Sequence, residues 1–333
     1  MKKSALTIGL LGATAIAEKA MILPARSSGL FTLRGVAASD VSRAQAFAAR
    51  HPSMAVYENY AALLCDPEID IAYISLHNSA HAAVALDAIH AGKHVIIEKP
   101  LCLGRREWHA MHLAAQARQV RVIEAIMCDE HPWQNSVATL ITRKTLGELK
   151  SVHTTVSFTS SALRGYRIRP ELGGGIFLDA ASYWLQMLQA TLPFEPVGIV
   201  GDSSFNGPNG IDDCFQAGIT YTDGTRAELQ CRFGETYQAS HEWRFSRGTI
   251  LLRDFLLPTK AAFPVNLHVI DAEGKREVIT HAASHYYEHQ LRRIAGYFAS
   301  DATAWQAIER RQAQRVSLME DIYRCALTRR HDA

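Results

Sequence analysis

Apolar runs of strand length alternate with amphipathic stretches over the first 127 residues. ALTIGL (5–10), LRGVAASD (33–40), IDIAYISL (69–76), VII (95–97) and VRVIEAIM (120–127) are rich in aliphatic and β-branched residues, as strands buried on both faces require. Between them lie a helix ending near Pro24, the helical stretches VSRAQAFAARH (41–51) and HAAVALDAIHAGK (81–93), and a helix through Ala114. Strand and helix in alternation predict parallel strands joined by right-handed crossovers, a doubly wound Rossmann sheet. After about residue 127 the period changes to two: SVHTTVSF (151–158), FQAGITYTDGTRAELQCRF (215–233) around an Asp223-Gly224 turn, HEWRF (241–245) and GTILL (248–252) read as a mostly antiparallel sheet. LGGGIFLDAASYWLQML (172–188) reads as a helix opened by glycines. The expected fold class is α/β: a Rossmann domain over 1–126 and an α+β domain over 127–333 with a large, open, mostly antiparallel sheet. Helices would cover one face of that sheet and a second subunit the other, giving a homodimer or homotetramer.

Composition narrows the function. At 333 residues the chain exceeds a comfortable single core, in keeping with two domains. Lys plus Arg number 35 against 33 Asp plus Glu, and no basic stripe is interleaved with aromatics, so neither nucleic acid nor a membrane surface is the expected partner. A small molecule is. The six cysteines are scattered with no Cys-x-x-Cys pair, which argues against a disulfide framework or a zinc site and fits a reducing cytoplasm. Fifteen histidines form no ligand motif, and no metal is expected. Lys2 and Lys3 followed by ALTIGLLGATAIA resemble a signal peptide, but glycines where a strand would end favour a retained first strand. No other apolar run is long enough to span a bilayer.

Three stretches carry chemistry. GATAIA (12–17) is a degenerate Gly-x-Gly-x-x-Gly/Ala turn between a strand and a helix, where free N–H groups and the helix dipole can hold a pyrophosphate. Thr14 stands at the second glycine; it crowds the turn but offers a hydroxyl. Asp40 ends the second strand, placed either to accept hydrogen bonds from a ribose, favouring NAD over NADP, or to cap the next helix; Ser39 and Arg43 keep NADP open. Glu98, Lys99 and Pro100 follow the strand Val95–Ile97 at the sheet edge where such folds bind ligands. In the glycine-led helix, Asp179 and Tyr183 are four residues apart and share a face. A phenol is a poor acid–base group near pKa 10 until a neighbouring ammonium favours the phenolate, and Lys99 can supply one.

These motifs together resemble the Gfo/Idh/MocA family of NAD(P)-dependent oxidoreductases: IGLLGATAIA, HNSAH (77–81), AGKHVIIEKPL (91–101), EAIMCDEHP (124–132), ELGGGIFLDAASY (171–183) and the final helix MEDIYRCA (319–326). The resemblance implies an NAD or NADP site built from Gly9, Gly12, Ala13, Thr14, Ile16, Ser39, Asp40, Leu76, His77, Asn78, His81, Glu98 and Lys99, with Asn78 and His81 lining the nicotinamide approach. Lys99 would meet the substrate oxygen and the nicotinamide edge, Glu98 would position the cofactor side, and Pro100 would fix the turn. Tyr183 stands where many members carry His; glucose–fructose oxidoreductase and the dihydrodiol dehydrogenases resemble this chain in using Tyr. Asp129, His131 and Arg164 would border the substrate, although His77 replaces a usual Pro and Cys128-Asp129-Glu130 departs from the family pattern. The implied reaction is hydride transfer between a nicotinamide and a secondary alcohol or ketone of a sugar, cyclic polyol or related ring. Tyr183 would pass the proton, Lys99 would stabilise the alkoxide, and Asp179 would orient the substrate hydroxyl or Lys99. Two rivals stand: reduction of C=N or conjugated C=C bonds, suggested by the acidic Asp129 and Glu130, and a dinucleotide sensor without turnover, which would have no need of Lys99, Asp179 and Tyr183 together.

Overall fold

The computed structural model describes residues 5–332, with side chains as far as 329; Lys2 and Lys3 lie outside the described residues. The chain divides into two compact units, 1–127 with 287–316, and 128–286 with 317–333. The first holds a six-stranded sheet in the order β3-β2-β1-β4-β5-β6, from β1 (Leu6–Leu11), β2 (Phe31–Ala37), β3 (Ala55–Val56), β4 (Ile71–Ile74), β5 (His94–Glu98) and β6 (Val122–Ala125). Every neighbouring pair is parallel. Alternate residues feed two cores: Ile8, Leu10, Tyr73 and Ile96 face one, Leu11, Ala72, Ile74, Val95 and Ile97 the other. Burial on both faces is why these strands read as continuous apolar runs.

The stretch resembling a leader is β1 and the helical run after it. That run does not end near Pro24. It passes through a π-helical segment, Glu18–Ile22, and continues as Leu23–Ser28 until Gly29 at φ 65° ends it. A wider turn just before a proline accommodates the nitrogen that cannot donate.

Residues 287–316, which the sequence reading places with the second sheet, pack on the first. Leu291 and Ile294 are fully buried in the core that also holds Ile8 and Ile123. Polar bonds reinforce the packing at the outer strand β6, whose free edge would otherwise lack partners. Gln312 accepts from the Glu124 N–H (2.8 Å) and donates to the Val122 carbonyl (3.0 Å). Arg315 pairs with the buried Glu124 carboxylate at 2.7 Å.

The second unit carries an eight-stranded sheet in the order β14-β13-β12-β11-β7-β10-β9-β8. Its strands are β7 (Leu149–Phe158), β8 (Pro196–Asp202), β9 (Cys214–Tyr221), β10 (Arg226–Phe233), β11 (Gln238–Phe245), β12 (Gly248–Arg253), β13 (Phe263–Asp271) and β14 (Arg276–Ser284). All pairs are antiparallel except β7 with β10. Strict alternation of exposed and buried residues along β10 marks a sheet with one covered face. The cover is the helix Ile176–Thr191, whose Phe177 stacks on Phe215 of β9 at 4.3 Å. This helix is buried nearly all round, because the helix Pro132–Thr142 and the end of the last helix, Ala302–Asp332, pack over it: Trp133 lies in the same core and Ser182 Oγ donates to Met319 Sδ at 3.7 Å.

Candidate functional site

The nucleotide turn sits where the strand order of the first sheet reverses, at the ends of β1 and β4, the place where open parallel sheets bind ligands. Gly12 is held at φ 120°, and a Cβ there would lie 2.7 Å from the Ser75 carbonyl oxygen, so glycine is needed for the turn to close against the segment after β4. Gly9 serves a different end. It lies within β1, and its Cβ would meet Leu63 and Ile69 at 2.7 Å; glycine there admits core side chains. Thr14 caps the following helix: Oγ1 accepts from Ala17 N–H (3.1 Å) and donates to Ser75 Oγ (2.8 Å). Its hydroxyl is therefore engaged by the protein. The N–H groups of Ala15 and Ile16, in the first turn, have no acceptor within the helix. With the glycine-made cradle at Gly12, they fit a pyrophosphate. Ala13 and Ile16 flank this turn, half-buried.

Asp40 is exposed after β2 and caps the next helix, accepting from Ser42 N–H at 2.7 Å; the Ser42 side chain first, and this N–H after it, lower the Asp40 pKa. Both readings of this residue are compatible with that geometry, since a carboxylate has a second oxygen. Ser39 accepts from Arg43 Nη1 at 3.4 Å.

At the ends of β4 and β5 the backbone is pinned. Lys99 is half-buried immediately beyond β5. The next two residues are held by side chains: His81 Nδ1 contacts the Pro100 carbonyl oxygen at 2.8 Å and Glu124 accepts from Leu101 N–H at 3.1 Å. His81 is fully buried, and its other ring nitrogen lies 3.2 Å from the Leu76 carbonyl oxygen. It braces the loops after β4 and β5. Asn78 is also buried, and His77 Nδ1 contacts Ser79 Oγ at 3.1 Å. Glu98 is buried and accepts from the Tyr73 hydroxyl at 2.6 Å, which makes it a support beneath Lys99.

Burial pushes the Glu98 carboxyl up to about 7 from 4.5. The folded protein thus holds this proton more tightly than the unfolded chain, so stability is greatest below the unfolded value and is lost as pH rises through the folded one. Thermal unfolding from pH 5 to pH 8 should show a falling midpoint in the wild type and a flatter profile in Glu98→Gln. Parallel profiles would mean that Glu98 is ionised throughout.

In the second unit, Asp179 (4% exposed) and Tyr183 (9% exposed) lie on one face of the helix Ile176–Thr191. The glycines before it fix how that helix begins. A Cβ on Gly174 would lie 2.6 Å from the Arg167 carbonyl oxygen, and one on Gly175, at φ 111°, would overlap the Asp212 carboxylate. Gly175 N–H donates to Arg167 O (3.0 Å), and Asp212 takes the Ile176 N–H on its carbonyl and the Phe177 N–H on its carboxylate, both at 2.8 Å. Burial raises the Asp212 carboxyl to about 7. Asp179 is paired with Arg167, Nε to Oδ2 2.7 Å.

Other expected substrate residues have local partners. Asp129 accepts from Gln186 Nε2 at 2.6 Å. His131 is 2% exposed, caps the helix Pro132–Thr142 through Trp133 N–H (3.5 Å), and reaches Ser284 Oγ at 3.1 Å. Its place before a proline at the first helical position makes it a cap. Arg164 is exposed at the start of the short 3₁₀ turn Gly165–Ile168. Tyr73, Glu124, Arg167 and Asp212 escaped the sequence reading. Only Arg167 left a local sign, as one of three arginines (164, 167, 169) just ahead of the glycine run.

Comparison with known proteins covers both units. Residues 6–126 match the oxidoreductase family described as GFO_IDH_MocA, NAD-binding Rossmann fold, and residues 135–251 match the GFO/IDH/MocA C-terminal domain. A D-xylose 1-dehydrogenase (NADP(+)) from Haloferax volcanii is 30% identical over 226 residues, 68% of this chain and 69% of that one. The trans-1,2-dihydrobenzene-1,2-diol dehydrogenase of Bos taurus is 28% identical over 59% of this chain, and the aligned stretch spans only 58% of its own length. Among solved structures, KijD10, a 3-ketoreductase from Actinomadura kijaniata in complex with NADP and TDP-benzene, superposes with a TM-score of 0.87 over 96% of this chain and 98% of that one, at 23% identity. With both of its units matched, the chain belongs to the GFO/IDH/MocA oxidoreductase family.

Proposed function

We propose that this chain is an NAD(P)-dependent dehydrogenase or reductase that moves hydride between the nicotinamide and a secondary alcohol or ketone on a sugar, a cyclic polyol or a related hydroxylated ring. The observation that carries the reading is the buried Asp179–Tyr183 pair on one helix face, an acid–base arrangement for which a dinucleotide sensor has no use. The named relatives act on a sugar and on a hydroxylated ring, in keeping with it. The bound dinucleotide supplies the hydride acceptor or donor. Tyr183 takes the proton from the substrate hydroxyl, and Lys99 stabilises the developing alkoxide and favours the phenolate. Assaying D-xylose, other sugars, cyclic polyols, a dihydrodiol and cyclic imines with both cofactors tests this. Tight dinucleotide binding with no turnover of any compound would favour the sensor; turnover of imines alone would favour the C=N reading.

For the cofactor we infer NAD, with Asp40 meeting the adenosine ribose through the carboxylate oxygen not used in its cap. Fluorescence titration should give tighter binding of NADH than of NADPH, and Asp40→Ser, which keeps a capping oxygen, should narrow or reverse the difference. A wild type that prefers NADPH refutes the assignment.

We further infer that a second copy covers the outer face of the large sheet, where Val197 and Val200 of β8 are 64% and 46% exposed. The protein should scatter light as a dimer or tetramer at micromolar concentration, and a monomer would exclude this. The six cysteines form no disulfide among the described residues, in keeping with a cytoplasmic location. Among the described residues no helix is long and apolar enough to cross a membrane.

A further inference from the structure

A carboxylate one turn from a phenol on the same helix face opposes that phenol's ionisation, because a like charge disfavours the anion. Asp179 stands in that position before Tyr183, in a place with little water to screen it. The sequence alone leaves Asp179 aimed at the substrate or at Lys99. Within its own unit it is held by Arg167, at 2.7 Å.

The loop that brings Arg167 there is built for the purpose. The bare backbone of Gly174 lies against the Tyr166 and Arg167 carbonyls, at distances where any side chain would collide. Gly174 N–H and Gly175 N–H donate to the Arg169 and Arg167 carbonyls, each at 3.0 Å. The Arg167 guanidinium also lies over the Tyr166 ring, 5.1 Å from its centre. Asp179 first, and the Tyr166 and Tyr183 phenols after it, raise the Arg167 pKa, so this cation acts on Tyr183 as well as on Asp179.

Two other titratable groups on the neighbouring strands contribute little charge. Burial drives His241 of β11 down to about 3 and the Cys231 thiol of β10 well up, leaving both neutral near pH 7. His241 stacks on Phe255, which meets the Tyr183 ring edge-on at 6.5 Å. Asp212 lies at the helix start, beside Gly175 and Phe177. Arg167 is thus the cation that the described residues of this unit bring to the pair.

We propose that Arg167 is a positioning residue of the reaction: it locks Asp179 in place and cancels its charge, so that an acid can stand beside Tyr183 without holding the phenol in its protonated form. The inference rests on the reading of Tyr183 as the proton-passing group, but its test needs no substrate. Protein labelled with ¹³C at tyrosine Cζ is titrated by NMR, the Tyr183 signal being assigned by its loss in Tyr183→Phe. Arg167→Gln, which keeps a hydrogen bond to Asp179 but not the charge, should move the Tyr183 midpoint up by about one pH unit or more. Arg167→Lys should stay close to the wild type. Arg167→Gln/Asp179→Asn, which replaces the ion pair with a neutral one, should return the midpoint most of the way.

Should Arg167→Gln fail to fold, Asp179→Asn decides, since it leaves the cation unopposed and should lower the midpoint below that of the wild type. An Arg167→Gln midpoint equal to the wild type, or an Asp179→Asn midpoint that rises, overturns the proposal. Full turnover by Tyr183→Phe, with the midpoints moving as described, would instead sink the functional reading and leave the charge relation standing.

Discussion

Lys99→Met is expected to lower turnover by roughly two to four orders of magnitude, the scale of losing an electrostatic stabiliser together with the activation of an acid–base group. Methionine keeps most of the side-chain length and removes only the charge. The backbone around it should hold, because the grip on this segment comes from elsewhere: His81 on the Pro100 carbonyl, Glu124 on the Leu101 N–H, and Glu98 anchored by Tyr73 beneath. Dinucleotide affinity should change little, since the cradle at Gly12 and the first turn of the helix after it are untouched. The measurement is kcat on whichever compound of the assay panel turns over, beside NADH and NADPH dissociation constants by fluorescence. A fully active Lys99→Met would reduce Glu98-Lys99-Pro100 to a polar strand end. A variant that loses cofactor binding in step with turnover would place Lys99 in the dinucleotide site alone.

The parts of this protein that sequence made legible are those whose cause is local. Strands β1, β4 and β5 announce themselves because both faces are buried, which leaves an unbroken apolar run. The second sheet does so through period two, and the pairing of Asp179 with Tyr183 follows from helix geometry alone. What stayed hidden depends on residues far apart in the chain. The Thr14 hydroxyl is engaged by Ser75, 61 residues on; nothing in GATAIA signals it. Gly9 looked like part of the nucleotide turn, but Leu63 and Ile69 are what require it. His131 reaches the Ser284 hydroxyl, 153 residues on, and nothing in EAIMCDEHP signals that contact. The return of residues 287–316 to the first unit has the same origin: an amphipathic helix shows that it has an apolar face, not which core receives it. Arg167 is the most consequential omission, because its partner Asp179 was assigned a role without it.

Tyr183→Phe should cost turnover on the same scale as Lys99→Met. The substitution removes one oxygen from a ring that is nearly buried and packed edge-on against Phe255, so the fold should tolerate it, and an unchanged thermal midpoint is the control. If Lys99 acts chiefly by favouring the Tyr183 phenolate and the alkoxide left when the substrate hydroxyl gives up its proton to it, the two residues form one relay, and removing the second member after the first removes little more. The double variant Lys99→Met/Tyr183→Phe should therefore be no more than about tenfold slower than the slower single variant, the non-additivity expected of residues that act as a unit. Losses that multiply across the two substitutions would show that each contributes independently. Proton transfer would then fall to another group, and the buried Asp179 beside Arg167 would be the first to replace.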